Sequence, residues 1–440
     1  MIYLIISFIV FLALGMPVAF AVGISSIFYF MSDGLPLQIV IQRMVSSTQS
    51  FSLLAVPFFV LAGNLMNETG ITRRLIKFAN QITGYMRGGL AQVSLVLSLL
   101  MGGISGSATA DAAMESRILG PAMKKKGYSK GFTAAVLSMG GLIVATIPPS
   151  LGLIQYGVVG EVSIGRLFIA GFVPGTLLTI AYMITVSRIA KKRGYAREAD
   201  RPPTVKEIFM GFVENIWALI FPLILIIGIR FGIFTPSEAG AFAVVYALFI
   251  GFFVYRELTL SKLMEVLRQT GVDLAVIMLI IICSNSFGYA LVTGQLPQTL
   301  ARAIVAVSTN NFIILLVIMA FLFVMGMFME ATANVLILTP IFLPIITRLG
   351  IDPVHFGILF MIMVTMGGMT PPVGVTMYTA CSILDCPIDE YTKESTPFVV
   401  TVIVMIIVLA AFPQIVLFLP NMVYGSLGVN YEIVFQRNQE

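Results

Sequence analysis

The sequence has few of the residues that build metal, haem and redox centres. It contains one histidine, His355, and three cysteines, Cys283, Cys381 and Cys386, which form no CxxC pair. This set implies no disulfide framework, leaves almost no ligands for zinc or haem, and argues against a histidine proton relay. No segment matches GxxxxGK[ST], the loop that binds ATP phosphates, so an ion gradient or another chain must supply any energy.

Charge is scarce as well. Charged residues make up 11% of the 440 residues and hydrophobic residues 58%, whereas soluble proteins have about 25% charged residues. The apolar blocks are long enough to cross a hydrocarbon layer about 30 Å thick. The sequence therefore predicts an all-α polytopic protein in a lipid bilayer, with a retained first helix rather than a signal peptide. A net charge of only +5 indicates no nucleic-acid partner.

The apolar blocks predict where the membrane helices lie. Long blocks predict spans at 3–31, 51–66, 131–158, 166–187, 211–229, 233–254, 272–292, 354–384 and 397–419. Two further stretches, 90–122 and 310–347, are interrupted by small and polar residues. We predict that they form re-entrant hairpins, which enter and leave the membrane on one side. The segment 71–87 is predicted to form either an amphipathic arm along the membrane surface or an ordinary loop.

Lysine and arginine are distributed unevenly among the predicted loops. With the N-terminus inside, 20 of the 26 basic residues fall on the inner side, many of them between 188 and 206. Cytoplasmic loops carry an excess of Lys and Arg, so the distribution supports a cytoplasmic N-terminus and places the C-terminus on the periplasmic side. The basic linker is explained most simply as a cytoplasmic loop near anionic lipid.

Short motifs recur at an offset of 222 or 223 residues. These are AFAV at 19–22 and 241–244, TAD at 109–111 with TAN at 332–334, a proline at 121 and 344, and a proline pair at 148–149 and 371–372. An odd number of predicted spans separates equivalent elements, so the copies are inverted. We predict a first repeat at 1–195, a linker at 196–210, a second repeat with a linking helix at 211–425, and a tail at 426–440. Inverted repeats with discontinuous helices are typical of secondary transporters.

Four polar breaks interrupt the predicted membrane helices. They are two hairpin tips, GGISGSATAD at 102–111 and GMFMEATAN at 326–334, and two proline breaks, VATIPPSLG at 144–152 and GGMTPPVGV at 367–375. Irregular backbone at membrane depth is tolerated only where protein buries it or a water-filled cavity meets it. Each proline pair removes two amide donors and frees carbonyl oxygens. Carbonyls and hydroxyls with few full charges favour Na⁺ over Ca²⁺ or Mg²⁺. The helices that start after the breaks direct positive dipole ends toward an organic carboxylate.

Alternative explanations exist for the individual residues. The first tip could be small-residue helix packing of the GxxxG kind, without a ligand; its duplication favours a ligand site. Asp111 is an intramembrane acid and hence a functional candidate, or it only caps the second half-helix. Glu330 has no acidic counterpart, and either balances a nearby cation or faces a cavity on the outer side of the membrane.

Several segments together resemble one known family. GGISGSATADA, KKKGYSK, IPPSLGLIQYG, GIFTPSEAGAFAVVYAL and GMTPPVGVTMYTA occur in that order, and about residues 1–425 are similar to the large membrane subunit of tripartite ATP-independent periplasmic (TRAP) transporters. The resemblance implies a bacterial inner-membrane protein of the ion-transporter superfamily and Na⁺-driven import of organic anions, chiefly C4-dicarboxylates and sialic acids. It implies two partners, a small four-helix membrane subunit, expected as a separate chain, and a periplasmic substrate-binding protein.

The resemblance also implies particular site residues and a mechanism. One Na⁺ site would use Ser105, Ser107, Gly141, Val144 and Pro149. A second would use Gly326, Thr332, Asn334, Gly367 and Thr370. The substrate would lie between the tips, near Ser107, Thr109, Asp111, Ser150 and Thr376. This gives two or more Na⁺ and no organic cofactor. Transport would follow an elevator mechanism, in which residues 90–165 and 310–390 (the bundle) move as one body against the remaining spans (the scaffold).

Two other functions remain open. A stand-alone Na⁺/dicarboxylate or citrate carrier, which needs no binding protein, would carry similar hairpins. A membrane-embedded enzyme or redox subunit would need clustered histidines, cysteines or paired acids in the spans, and the single histidine argues against it. The substrate class is also open between sialic acids and C4-dicarboxylates. The hydroxyl-rich tip favours a sialic acid, since no arginine lies within the four breaks to hold a second carboxylate.

Overall fold

A computed structural model describes residues 2–49, 51–199, 201–231, 233–296, 299 and 310–425. All regular elements within these residues are helices, which confirms the all-α prediction. In this part of the chain, six helices are long and apolar enough to cross a membrane, and up to eight if each of two bent pairs forms one span. The predicted tail, 426–440, lies outside the described residues, and the division into repeats stays a prediction.

The helices of the first half follow the predicted blocks except near the N-terminus. They are α1 Ile2–Ala13, α2 Val18–Ser32, α3 Leu37–Thr48, α4 Ala55–Glu68, α5 Ile71–Thr83, α6 Gly89–Gly102, α7 Ala108–Ile118, α8 Gly120–Lys125, α9 Lys130–Thr146, α10 Leu151–Gly160 and α11 Ile164–Arg193. The single span predicted at 3–31 is wrong. Gly15 adopts a left-handed φ of 78° and Pro17 precedes α2, so the chain turns and α1 packs against α2. The segment 71–87 contains the helix α5 rather than a plain loop, with Leu75 and Phe78 buried.

The second half contains ten further helices within the described ranges. They are α12 Val205–Glu214, α13 Ile216–Arg230, α14 Pro236–Phe249, α15 Leu260–Thr293, α16 Asn311–Phe328, α17 Ala331–Arg348, α18 Pro353–Gly367, α19 Val375–Leu384, α20 Ile388–Ala411 and α21 Pro413–Tyr424. The predicted span at 397–419 is two helices, because Pro413 cannot continue the hydrogen-bond ladder of α20.

Both predicted hairpins are pairs of antiparallel helices. Between α6 and α7, the hydroxyl of Ser94 donates to Glu115 over 2.5 Å, and the hydroxyl of Ser98 donates to Glu115 over 2.9 Å. Between α16 and α17, the side-chain amide of Asn311 donates to the carbonyl of Leu349 over 2.9 Å. These contacts hold the arms of each hairpin together. That both hairpins are re-entrant in the bilayer stays a prediction.

The two predicted discontinuous helices are confirmed and occupy the centre of the molecule. The first is α9 and α10, bent by 42° around the break at 147–150. The second is α18 and α19, interrupted at 368–374. Every residue from 131 to 146 of α9 and from 354 to 367 of α18 is buried. The starts of these two stretches lie 223 residues apart, the same offset that relates the repeated motifs. Each hairpin packs against one of these central helices.

Candidate functional site

The first hairpin tip rests directly on the first proline break. The amide of Leu151 donates to the carbonyl of Gly106 over 3.4 Å. A Cβ at Gly106, whose φ is 60°, would lie 2.6 Å from the carbonyl oxygen of Pro149. A Cβ at Gly141 would lie 2.6 Å from the carbonyl oxygen of Ala108. Only glycine permits backbones to approach this closely. The contact brings Gly141 and Pro149 of the predicted first Na⁺ site to the tip that carries Ser105 and Ser107.

The hydroxyls at this tip have different partners. Ser107 caps α7 by accepting from the amide of Ala110 over 3.5 Å, and Ser150 caps α10 in the same way. The hydroxyl of Ser105 is buried and has no hydrogen-bond partner. A buried polar atom without a partner costs stability, so Ser105 offers an oxygen that a small cation could use. One alternative for Asp111 was that it only caps α7. This alternative is wrong, because Ser107 is the cap and Asp111 lies in the first turn of α7.

The second tip rests on the second break through another pair of glycines. A Cβ at Gly326 would lie 2.3 Å from the carbonyl oxygen of Val364, and a Cβ at Gly367 would lie 2.5 Å from that of Phe323. The amide of Gly374 donates to the carbonyl of Met327 over 2.9 Å. The backbones of α16 and α18 therefore touch, which brings Gly326 and Gly367 together as predicted.

The polar side chains of the second tip largely satisfy one another. The side-chain amide of Asn334 donates to the carbonyl of Met329 over 2.9 Å, while its oxygen is buried without a partner. The carboxylate of Glu330 accepts from the amide and the hydroxyl of Thr332 and so caps α17. The hydroxyl of Thr370 donates to the carbonyl of Met366. Asn334 thus provides an unpaired buried oxygen in this half, as Ser105 does in the other.

A narrow cleft lies between the two tips, and we call it the tip cleft. It is lined by the first residues of four helices, α7, α10, α17 and α19. The hydroxyls of Thr109 and Thr376 meet across it at 2.8 Å. Its volume of about 40 Å³ is far below the roughly 300–1,000 Å³ of small-molecule sites. The tip cleft must therefore widen before it can hold an organic substrate.

The structure places most, but not all, of the predicted substrate residues at this cleft. Ser107, Thr109 and Thr376 line it, and Ser150 caps the helix whose first turn borders it. Asp111 does not line it; its carboxylate faces Ser98 of α6, 3.4 Å away. Its role in binding substrate stays a prediction, and in this conformation its carboxylate does not line the cleft.

Two further polar residues escaped the sequence analysis. Thr365 of α18 lines the tip cleft, and its hydroxyl is buried without a partner; nothing in the apolar run around it distinguishes it. Glu115 is fully buried beside Asp111. Here a signal exists, since Asp111 and Glu115 are four residues apart and lie on the same face of a helix, opposite two serines that are also four apart.

The chain is similar to known transport proteins over nearly its whole length. The family model described as "Tripartite ATP-independent periplasmic transporter, DctM component" matches residues 5–415. The sialic acid TRAP transporter large permease protein SiaM of Vibrio cholerae is 38% identical, covering 93% of this chain and 96% of that protein. The C4-dicarboxylate TRAP transporter large permease protein DctM of Pseudomonas aeruginosa is 35% identical, covering 86% and 88%.

A solved structure supports the fold. The crystal structure of the YdaH transporter of Alcanivorax borkumensis matches with a TM-score of 0.65 and 13% identity, covering 86% of this chain and 89% of that one. At this identity the likeness concerns the arrangement of helices alone.

Proposed function

Because this chain belongs to the DctM family of TRAP transporter large permeases, we propose that it imports an organic acid anion across the bacterial inner membrane, driven by Na⁺. It is a multi-pass transport protein rather than an enzyme. The description of the family as tripartite supports two partners, the small four-helix membrane subunit and a periplasmic substrate-binding protein. The relatives named for sialic acid and for C4-dicarboxylates support an acid as substrate.

One observation carries the proposal: four helices begin at the tip cleft. Helices α7, α10, α17 and α19 have 11, 10, 18 and 10 residues, and their first turns form its walls. A helix N-terminus carries about half a positive charge and directs free amides outward. The carboxylate of Glu330 already accepts from the first turn of α17. The ends of α7, α10 and α19 remain, and their convergence attracts an anion without any arginine or lysine.

The oxygen groups at the tips support Na⁺ as the coupling ion. Each tip contacts a broken helix whose backbone carbonyl groups lie close to it. Each tip also carries a neutral buried oxygen without a hydrogen-bond partner, that of Ser105 in the first tip and that of Asn334 in the second. Neutral oxygens of this kind suit a monovalent cation better than Ca²⁺ or Mg²⁺, which recruit carboxylates. Two such tips fit two or more Na⁺ per cycle.

Replacing the energy source tests this function directly. Proteoliposomes that contain the chain with its small subunit and binding protein are expected to accumulate radiolabelled acid only under an inward Na⁺ gradient. Full uptake driven by a proton gradient in sodium-free buffer would contradict the coupling. Equal uptake without the binding protein would instead identify a stand-alone carrier.

Removal of one tip hydroxyl should weaken Na⁺ binding. Ser105→Ala deletes the unpaired buried oxygen, and the loss of one such group is worth about 1–3 kcal/mol, which corresponds to roughly tenfold in affinity. The Na⁺ concentration for half-maximal uptake should rise accordingly, with unchanged expression. Ser26→Ala is the control. Ser26 is a buried serine of α2, outside both tips, and its hydroxyl donates only to a carbonyl of its own helix. Identical Na⁺ dependence in Ser105→Ala would assign the tip to helix packing.

A further inference from the structure

A second cavity lies beyond the far end of α10 from the tip cleft, and we call it the outer cavity. Its volume is about 890 Å³, within the range of small-molecule sites. Its polar lining includes Arg43 and Ser46 of α3, Glu161 and Ser163 after α10, and Ser284 and Asn285 of α15. Since α10 has ten residues, about 15 Å of helix separates the two spaces.

The outer cavity lies at the boundary between two predicted bodies. Helices α3 and α15 belong to the scaffold, whereas α10 belongs to the bundle. The other walls come from the starts of α11 and α14 and from the ends of α13 and α21. The predicted topology assigns all four of these helix ends to the periplasmic side. A substrate released by a binding protein would therefore meet this space before the tip cleft.

One fixed cation faces this space. Arg43 is the single lysine or arginine among the described lining residues. Its guanidinium lies 4.2 Å from the centre of the Tyr289 ring, a cation–π contact that positions the charge. The hydroxyl of Ser284 is buried without a partner, and so provides a free hydrogen-bonding group in the same wall.

One acidic residue, Glu161, also lines the outer cavity. Glu161 ends α10 in the left-handed conformation, with a φ of 54°, and its side chain is exposed. A carboxylate here accepts hydrogen bonds from hydroxyl groups and repels a second carboxylate. The outer cavity therefore offers a match for one negative charge, several hydroxyl partners and a penalty for a second negative charge.

Resting on the proposed import of organic acids, we propose that the outer cavity binds the substrate on its way to the tip cleft and selects acids with one carboxylate and several hydroxyl groups. Arg43 binds the carboxylate, since a guanidinium matches a carboxylate in a bidentate manner. Ser284 and Asn285 bind hydroxyl groups of the same molecule. Glu161 disfavours C4-dicarboxylates, so this chain transports acids of the sialic acid class.

Direct binding measurements test the selection. The chain with its small subunit, in lipid nanodiscs with Na⁺, would be titrated with radiolabelled sialic acid and, separately, with succinate. The wild type is expected to bind sialic acid more tightly. Arg43→Gln should raise the Kd for sialic acid roughly tenfold or more, with partial recovery in Arg43→Lys. Glu161→Gln should lower the Kd for succinate roughly twofold to fivefold.

The control is Arg348→Gln, which removes an exposed arginine at the end of α17 that does not line the outer cavity; its Kd should equal that of the wild type. Tighter binding of succinate than of sialic acid by the wild type, or no binding of either, overturns the proposal. An unchanged Kd for sialic acid in Arg43→Gln also overturns it. So does a raised Kd for sialic acid in both Arg43→Gln and Glu161→Gln, which would indicate that the two residues act as an ion pair. Na⁺-driven uptake by the wild type, measured in parallel, separates this failure from failure of the proposed function.

Discussion

A disulfide between positions 288 and 340 is expected to abolish transport. A Cβ at Gly288 of α15 would lie 3.1 Å from the Cβ of Pro340 of α17, close to the roughly 3.5–4.5 Å of natural disulfides. Helix α15 belongs to the predicted scaffold and α17 to the predicted bundle. If the bundle must slide past the scaffold, Gly288→Cys with Pro340→Cys should transport when reduced and stop completely when oxidised, with reductant restoring uptake.

The chain itself provides a matched crosslink inside the scaffold. A Cβ at Gly23 of α2 would lie 3.6 Å from the Cβ of the native Cys283 of α15. Gly23→Cys should therefore form a disulfide with Cys283 and leave uptake intact. The test pair needs a background without the three native cysteines, and the control needs one that keeps only Cys283. Normal uptake through a fully formed 288–340 disulfide would exclude an elevator and leave smaller movements of the hairpins.

Gly367→Ala is expected to reduce transport at least tenfold. The new Cβ would lie 2.5 Å from the backbone of Gly326 and from the carbonyl oxygen of Phe323, so α16 and α18 would have to separate. Overpacking of this kind costs about 1–3 kcal/mol, and about 1.4 kcal/mol is a factor of ten. The second tip would then separate from the second proline break, so the apparent Na⁺ affinity and the melting temperature should both fall.

Gly271→Ala is the matched control for that substitution. Gly271 also lies within a helix, α15, but a Cβ there meets no atom within 4 Å. Alanine is the better helix former by about 0.5–1 kcal/mol, so this variant should be as stable as the wild type or slightly more so. The same change thus has opposite signs at the two positions. Wild-type transport by Gly367→Ala would show that the backbone contact between α16 and α18 is dispensable.

The sequence predicted the tips and breaks well because their physical causes are visible in composition. Gly106 and the two proline pairs stand out in apolar surroundings, and the 223-residue offset marks equivalent elements even where the residues differ. The repeated motifs therefore located both broken helices within a few residues. The same offset also relates α9 to α18, two buried apolar helices that contain no polar motif to mark them as equivalent.

Helix rotation and tight turns were beyond the reach of the sequence. Successive side chains on a helix point in directions about 100° apart, so the tip alone could not show that Thr109 faces the cleft while Asp111 faces Ser98. Thr365 escaped for the same reason. The split between α1 and α2 depends on Gly15 and Pro17. Glycine and proline are also found within long membrane helices, so these residues alone do not predict a turn. Only the packing of α1 against α2 decides that the chain turns there.

All but the first residue of α9 and of α18 are buried, and this changes the reason for their apolar composition. No residue from 131 to 146 or from 354 to 367 is left for acyl chains to contact. With 15 residues, α18 is about 22 Å long and does not reach across a hydrocarbon layer of about 30 Å. Both helices are apolar for the reason that the interior of a water-soluble enzyme is apolar: neighbouring side chains must fit. Substitutions in these two helices are therefore limited by side-chain shape and volume, whereas the lipid-facing helices around them need only remain apolar.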